Sequence, residues 1–132
     1  EAPHVLAPGE VLLSDEVINK LIARDGVIGV TPINAFLNAD WNEDGGKPAV
    51  SLRLVAEQID YICQVAGDVR HVGIGTDFDG GLGVEKVPVE IDTIADLPRL
   101  FPFLEELGYD SKEIDRIASG NFLDMVETTL PD

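Results

Sequence analysis

The stretch His71-Val72-Gly73-Ile74-Gly75-Thr76-Asp77-Phe78-Asp79-Gly80-Gly81 is the most informative part of this chain. Residues 72–76 have the length and composition of a buried strand, and the run ends abruptly in acids and glycines. A buried parallel strand is apolar throughout, so carboxylates belong where it emerges at its C-terminal end. In α/β folds, ligands bind and chemistry occurs at that end. The pattern therefore predicts a chemical role for Asp77, beside glycines that allow a ligand to approach the backbone.

A second strand and two helices precede this stretch. Residues 27–30 form another short apolar run, and the helix before it begins at the N-cap Ser14 and ends near the predicted C-cap Gly26. A longer helix between the two strands ends at Gly67 and carries one apolar face, formed by Val55, Ile59, Ile62, Cys63 and Ala66. The order helix, strand, helix, strand predicts parallel strands joined by crossover helices.

The remainder of the chain is predicted to be helical. Apolar residues from Leu97 to Leu107 indicate a helix whose first turns are made irregular by Pro98 and Pro102. Asp110 and Glu113 have the spacing of a capping box for the last helix. Its predicted apolar stripe consists of Ile114, Ile117, Ala118, Phe122, Leu123 and Val126.

Only two strands can be recognised, and this number has a structural consequence. Two parallel strands cannot bury both of their faces or protect both of their edges. The chain is therefore predicted to be part of a larger α/β sheet or barrel. The missing strands would come from another chain or from self-association.

Composition and charge exclude several classes of function. Nine basic and 25 acidic side chains give a net charge of −16, which repels nucleic acid and anionic membrane surfaces. No apolar run is long enough to span a membrane, so we expect a soluble chain in the cytoplasm. Cys63 is the only cysteine, and its place on an apolar helix face predicts a packed thiol. His71 precedes its strand, which predicts a structural role.

Several motifs occur in the order seen in one known family. The chain resembles the membrane dipeptidases over nearly its whole length. The matching segments are Leu13-Ser14-Asp15-Glu16, Arg24-Asp25-Gly26-Val27-Ile28-Gly29-Val30, the stretch from His71 to Gly81, Asp96-Leu97-Pro98 and Gly120-Asn121-Phe122-Leu123.

The resemblance implies a fold, a cofactor and missing partners. Members are zinc-dependent peptidases with a (β/α)8 barrel, and residues 27–30 and 72–76 would be strands seven and eight. Residues 1–132 would then form a single C-terminal segment, incomplete as an independent domain, since a barrel takes roughly 250 residues. The ligands of the zinc pair would all lie outside this chain. The expected partners are a dipeptide substrate and either the missing N-terminal barrel portion or further copies of the chain.

The resemblance also assigns roles to individual residues. Asp77 matches the catalytic acid, which would shuttle a proton from the nucleophile to the leaving amine. Asp79, Gly80 and Gly81 would support its loop, and Asn34 is a candidate substrate contact. Where the family usually has a substrate-binding arginine, this chain has Val11, which cannot pair with a carboxylate.

Two other interpretations remain open from the sequence. The pattern Asp77-Phe78-Asp79-Gly80 superficially resembles the nucleophile motif of magnesium-dependent phosphatases, in which the first acid attacks phosphorus. That motif normally lies near the start of its domain, whereas Asp79 is followed here by residues that are predicted to be helical. The second alternative is a barrel fragment without catalytic activity, which acts by pairing with a complementary chain or with itself.

Overall fold

A computed structural model describes residues 14–32, 51–76 and 87–130. Along these ranges the elements are α1 (Asp15–Ala23), β1 (Ile28–Val30), α2 (Leu52–Ala66) and β2 (Val72–Ile74), followed by a 3-10 helix (Ile94–Leu100), α3 (Phe101–Glu106), α4 (Ser111–Asp115), a π-helical turn (Arg116–Gly120) and α5 (Asn121–Thr129). The strands β1 and β2 are parallel, with Ile28 opposite Val72 and Val30 opposite Ile74. The predicted parallel pair with a crossover helix is confirmed, although both strands are shorter than predicted.

The helix α1 begins as predicted and ends differently. The Ser14 side chain accepts a hydrogen bond from the backbone N–H of Val17 at 3.3 Å, which confirms the N-cap. At the other end Asp25, not Gly26, adopts the left-handed conformation, with φ 59°. The backbone N–H groups of Asp25 and Gly26 donate to the carbonyls of Ile22 and Leu21, which is the bonding of a Schellman motif. The C-cap is Arg24, so the prediction of Gly26 as the C-cap was wrong by two residues.

The helix α2 forms the centre of the hydrophobic core. Ser51 caps its start, and Gly67, with φ 80°, ends it in the left-handed conformation. The buried side chains of α2 are Leu52, Val55, Ala56, Ile59, Ile62 and Cys63. They pack with Ile28, Val30 and Val72 from the strands and with Leu100, Leu104 and Ile117 from the later helices. This core holds the strand pair in place.

In the C-terminal helices the predicted capping box is confirmed, whereas the predicted apolar face is confirmed only in part. Asp110 and Glu113 form the predicted capping box, with N–H to carboxylate distances of 2.8 and 3.0 Å. Ile114 and Ile117 are buried, as the predicted stripe requires. Leu123 and Val126 are instead 59% and 42% exposed, so the prediction was wrong for these two residues.

Candidate active site

The carboxyl ends of the two strands lie side by side. The N–H of Gly75 donates to the carbonyl oxygen of Val30 at 3.0 Å, which extends the ladder one residue beyond β2. The chain segments that follow Pro32 and Thr76 therefore leave from adjacent strand ends. Because parallel strands place their carboxyl ends on one edge of a sheet, this edge is the candidate active site.

The residues predicted to form the site lie outside the described part of the chain. This applies to Asp77, Asp79, Gly80 and Gly81 after β2 and to Asn34 after β1. Val11 lies outside the described residues as well. The roles of Asn34 and of Asp77, Asp79, Gly80 and Gly81 remain predictions, which depend on the position of these residues in the sequence after the two strands.

Glu90 links the start of α2 to the described chain that follows β2. One carboxylate oxygen of Glu90 accepts a hydrogen bond from the Ser51 hydroxyl at 2.7 Å, and the other accepts one from the backbone N–H of Leu52 at 2.8 Å. Val87 and Ile91, on either side of Glu90, are buried in the core. A carboxylate at the start of a 15-residue helix is favoured by the helix dipole. Glu90 thus fixes the beginning of α2 to the part of the chain around residues 87–91.

Glu90 was not identified from the sequence, because a single acid in a loop carries no periodic signal. Asn121 was missed as well, although a signal was present. It lies four residues after the buried Ile117, in phase with the apolar face of the last helix, and it is only 2% exposed. A polar residue at such a position indicates a buried hydrogen-bonding role.

The opposite end of the strands is closed by His71. Its ring is 4% exposed, and Nδ1 lies 2.9 Å from the carbonyl oxygen of Gly26. Its own carbonyl accepts a hydrogen bond from the backbone N–H of Ile28 at 2.8 Å. His71 therefore joins the entrances of the two strands, away from their carboxyl ends, and this position agrees with the predicted structural role.

The described residues provide neither a metal cluster nor a reactive thiol. Within residues 14–32, 51–76 and 87–130, no group of three or more His, Cys, Asp or Glu side chains could hold a metal ion. Burial raises the pKa of the Cys63 thiol to about 11, so the thiol stays protonated at neutral pH and cannot act as a thiolate nucleophile. The packed thiol predicted at this position is confirmed.

Two solved structures share the fold of this chain over the matched part. The structure of the probable dipeptidase PvdM from Pseudomonas aeruginosa superposes with a TM-score of 0.75 at 21% identity, over 94% of this chain and 42% of that protein. An amidohydrolase from the same organism superposes with a TM-score of 0.69 at 22% identity, over 86% of this chain and 39% of that one. The described α/β arrangement is thus the fold of dipeptidase and amidohydrolase structures over the matched part.

The sequence identifies the family within this class. The family model described as membrane dipeptidase (Peptidase family M19) matches residues 2–130. The chain belongs to the membrane dipeptidase family.

Individual relatives are longer than this chain. An uncharacterized protein of Klebsiella pneumoniae is 36% identical over 120 residues, which are 91% of this chain and 41% of that protein. An uncharacterized dipeptidase of Schizosaccharomyces pombe is 32% identical over 115 residues, and dipeptidase ataJ of Aspergillus terreus is 30% identical over 124 residues. The chain spans 26% and 28% of these two proteins, so it covers less than half the length of each relative.

None of the described helices combines the length and the apolar character needed to cross a bilayer.

Proposed function

We propose that this chain forms the last two strands of a (β/α)8 barrel, with their helices, in a metal-dependent dipeptidase. The support is family membership together with the way in which 94% of the chain superposes on 42% of a longer dipeptidase structure. The two-stranded parallel sheet adds a physical argument, because parallel strands are stable when further strands and helices cover them. Residues 1–132 are then one incomplete segment of the barrel.

The proposed reaction is hydrolysis of the peptide bond of a dipeptide, with Asp77 as the proton shuttle. Asp77 comes three residues after Ile74, the last residue of β2, and in a barrel enzyme the carboxylates that meet the substrate follow the strand ends. It takes a proton from the attacking water and passes it to the nitrogen of the leaving amine. Asp79, Gly80 and Gly81 support its loop, and Asn34 contacts the substrate from the neighbouring strand end.

The proposal includes zinc as the cofactor of the complete enzyme. When bound, a zinc pair supplies Lewis acidity at the scissile carbonyl. The family resemblance implies that the ligands come from the part of the protein outside this chain, and the described residues offer no cluster for such ions. We therefore propose that the 132-residue chain alone is inactive. The missing strands come from the rest of the barrel or from further copies of the chain, and sedimentation of the purified chain distinguishes these two cases.

Complementation tests the proposal. The 132-residue chain is mixed with the part of the Klebsiella pneumoniae relative outside the 120-residue match, and dipeptide hydrolysis is followed with and without zinc. Hydrolysis is expected only when both polypeptides and zinc are present. Turnover by the 132-residue chain alone contradicts the proposed inactivity. Absence of turnover in the mixture of both polypeptides with zinc counts against the barrel assignment.

Substitution of Asp77 tests the residue assignment. In the active mixture, Asp77→Asn is expected to lower kcat by roughly 10²–10⁴-fold, the range for loss of a general acid–base group. Asp115→Asn is the matched control, because Asp115 is an exposed acid at the end of α4. It is expected to leave kcat unchanged.

The family match favours this function over the magnesium-dependent phosphatase considered from the sequence. A phosphatase would hydrolyse a phosphate monoester with magnesium and lose that activity in Asp77→Asn. The same two variants therefore distinguish the two reactions when they are assayed with both substrates.

A further inference from the structure

The side chain of Asn121 is buried and fully hydrogen bonded at the start of β2. Its Nδ2 donates to the carbonyl oxygens of Val69 at 2.6 Å and Val72 at 2.8 Å. Its Oδ1 accepts a hydrogen bond from Nε of Arg116 at 3.1 Å. The side chain is only 2% exposed. One amide thus connects the first turn of α5 to the loop before β2 and to the first residue of that strand.

The chemistry of these partners fixes the orientation of the amide. Backbone carbonyls only accept hydrogen bonds, and a guanidinium only donates them. The amide nitrogen must therefore face Val69 and Val72, and the amide oxygen must face Arg116. An aspartate would have nearly the same shape but would turn a carboxylate oxygen toward two carbonyl oxygens.

Asn121 acts at the edge of β2 that faces away from β1. The carbonyl of His71 and the N–H of Gly75 bond to β1, and in a parallel ladder alternate residues direct their polar groups to opposite sides. The carbonyl of Val72 therefore points to the outer edge. There the amide of Asn121 donates to this carbonyl, which anchors the start of β2 on the side away from β1.

Two further contacts hold Asn121 itself. Its backbone N–H donates to the carbonyl of Arg116, a bond that spans five residues and defines the π-helical turn. The guanidinium of Arg116 continues to Asp124, with an Nη2 to Oδ2 distance of 2.7 Å. Such π turns in helices frequently occur near functional sites. Arg116 thus accepts a hydrogen bond from the backbone N–H of Asn121 and donates one to its side chain.

The next residue, Phe122, packs on the face of the sheet. A Cβ atom added to Gly73 would lie 2.3 Å from Cε2 of Phe122, and one added to Gly29 would lie 3.5 Å from its Cζ. The ring therefore reaches both strands at positions that carry no side chain. Asn121 fixes the edge of β2 while Phe122 packs against its face, so the start of the strand is held in two directions.

We propose that Asn121 is a positioning residue of the active site, which sets the location of the end of β2 and thereby of Asp77. The inference rests on the proposed role of Asp77 as proton shuttle. From Val72 to Gly75, whose N–H donates to Val30, the chain spans about 10 Å at about 3.3 Å per residue, and an extended, paired strand transmits a shift at one end to the other. A displacement of about 1 Å at a reacting group is enough to lower the rate by roughly a hundredfold.

The anchoring is tested by NMR on the labelled 132-residue chain with the isosteric variant Asn121→Asp. The carbonyl carbons of Val69 and Val72 are expected to change in chemical shift. Hydrogen exchange at the amide of Gly75 is expected to accelerate at least about tenfold more than exchange at Ile59 in the core of α2, because the opening is local. Asn19→Asp is the matched control, since it makes the same change at an exposed position of α1, and it should leave both rates equal to those of the unmodified chain.

Parallel acceleration at Gly75 and Ile59 would overturn the anchoring, because it would show a general loss of stability. If Asn121→Asp does not fold, the variant Arg116→Met decides the question. It removes the donor to Oδ1 at a half-exposed side chain and leaves the two donated bonds in place. Selective acceleration at Gly75 of at least about threefold is expected there, and equal rates at Gly75 and Ile59 would reject the proposal.

Turnover in the complemented mixture separates positioning from the proposed function itself. Asn121→Asp is expected to lower kcat about tenfold or more with KM changed by less than about twofold, since the substrate contacts are not touched. An unchanged kcat would reject the positioning role while leaving the dipeptidase assignment intact. A mixture that is inactive with every variant would reject the proposed function, and the NMR result would still decide the anchoring.

Discussion

The helices α2 and α5 are both amphipathic, yet they use their apolar faces in different ways. The face of α2 is enclosed within the described core, where Leu52, Ala56 and Ile59 are inaccessible to solvent. On α5, Leu123 and Val126 remain 59% and 42% exposed, and Leu130, which follows the helix, is 62% exposed. The described part of the chain thus buries the apolar face of α2 and leaves the apolar face of α5 partly exposed. Since the chain spans less than half of its relatives, the apolar face of α5 is the surface that we expect the rest of the fold to meet.

The largest expected effect lies in α2. Ile59→Ala removes a fully buried side chain and is expected to lower the free energy of unfolding by about 2–5 kcal/mol, through lost burial and the cavity left behind. Ile94→Ala is the matched control, because Ile94 is 64% exposed, and it should cost no more than about 0.5 kcal/mol. Urea denaturation of the two variants provides the measurement. Equal losses would show that the core is not centred on α2.

This contrast also shows what the sequence could predict. The face of α2 was predicted correctly because its apolar periodicity and the glycine at its end agree, and because its partners lie within this chain. The stripe of α5 was only half right. Apolar spacing alone selected Leu123 and Val126, whereas the buried polar residue is Asn121.

The hydrogen bonds that hold α2 and β2 in place join residues far apart in sequence. Leu52 and Glu90 are 38 residues apart, and Val72 and Asn121 are 49 apart. No local pattern encodes which carbonyl or N–H such a side chain will meet. The strand that leads to Asp77 could be read from composition, because burial imposes an apolar run. The hydrogen bonds that hold the strand could only be seen once the chain was folded.

An intermediate effect is expected where α5 does enter the core. The added Cβ of Gly73→Ala would lie 2.3 Å from the Phe122 ring, and overpacking of this kind costs about 1–3 kcal/mol. In a Phe122→Ala background the clash is removed, so the same change should cost less by about 1 kcal/mol or more. A thermodynamic cycle from urea denaturation of the four proteins measures this coupling. Additive losses would show that Phe122 does not rest on Gly73 in solution.

The smallest effect is expected on the exposed face of α5. Leu123→Ala should change the free energy of unfolding of the 132-residue chain by no more than about 0.5 kcal/mol, since alanine and leucine both favour the helix. Leu104→Ala, at a fully buried leucine, should cost about 2–5 kcal/mol by the same measurement. A loss at Leu123 that approached the loss at Leu104 and increased with protein concentration would mean that copies of the chain cover α5 by association. If Leu123→Ala instead lowered stability only in the complemented mixture, the rest of the barrel would be the part that covers α5, because Leu123 would be buried only there.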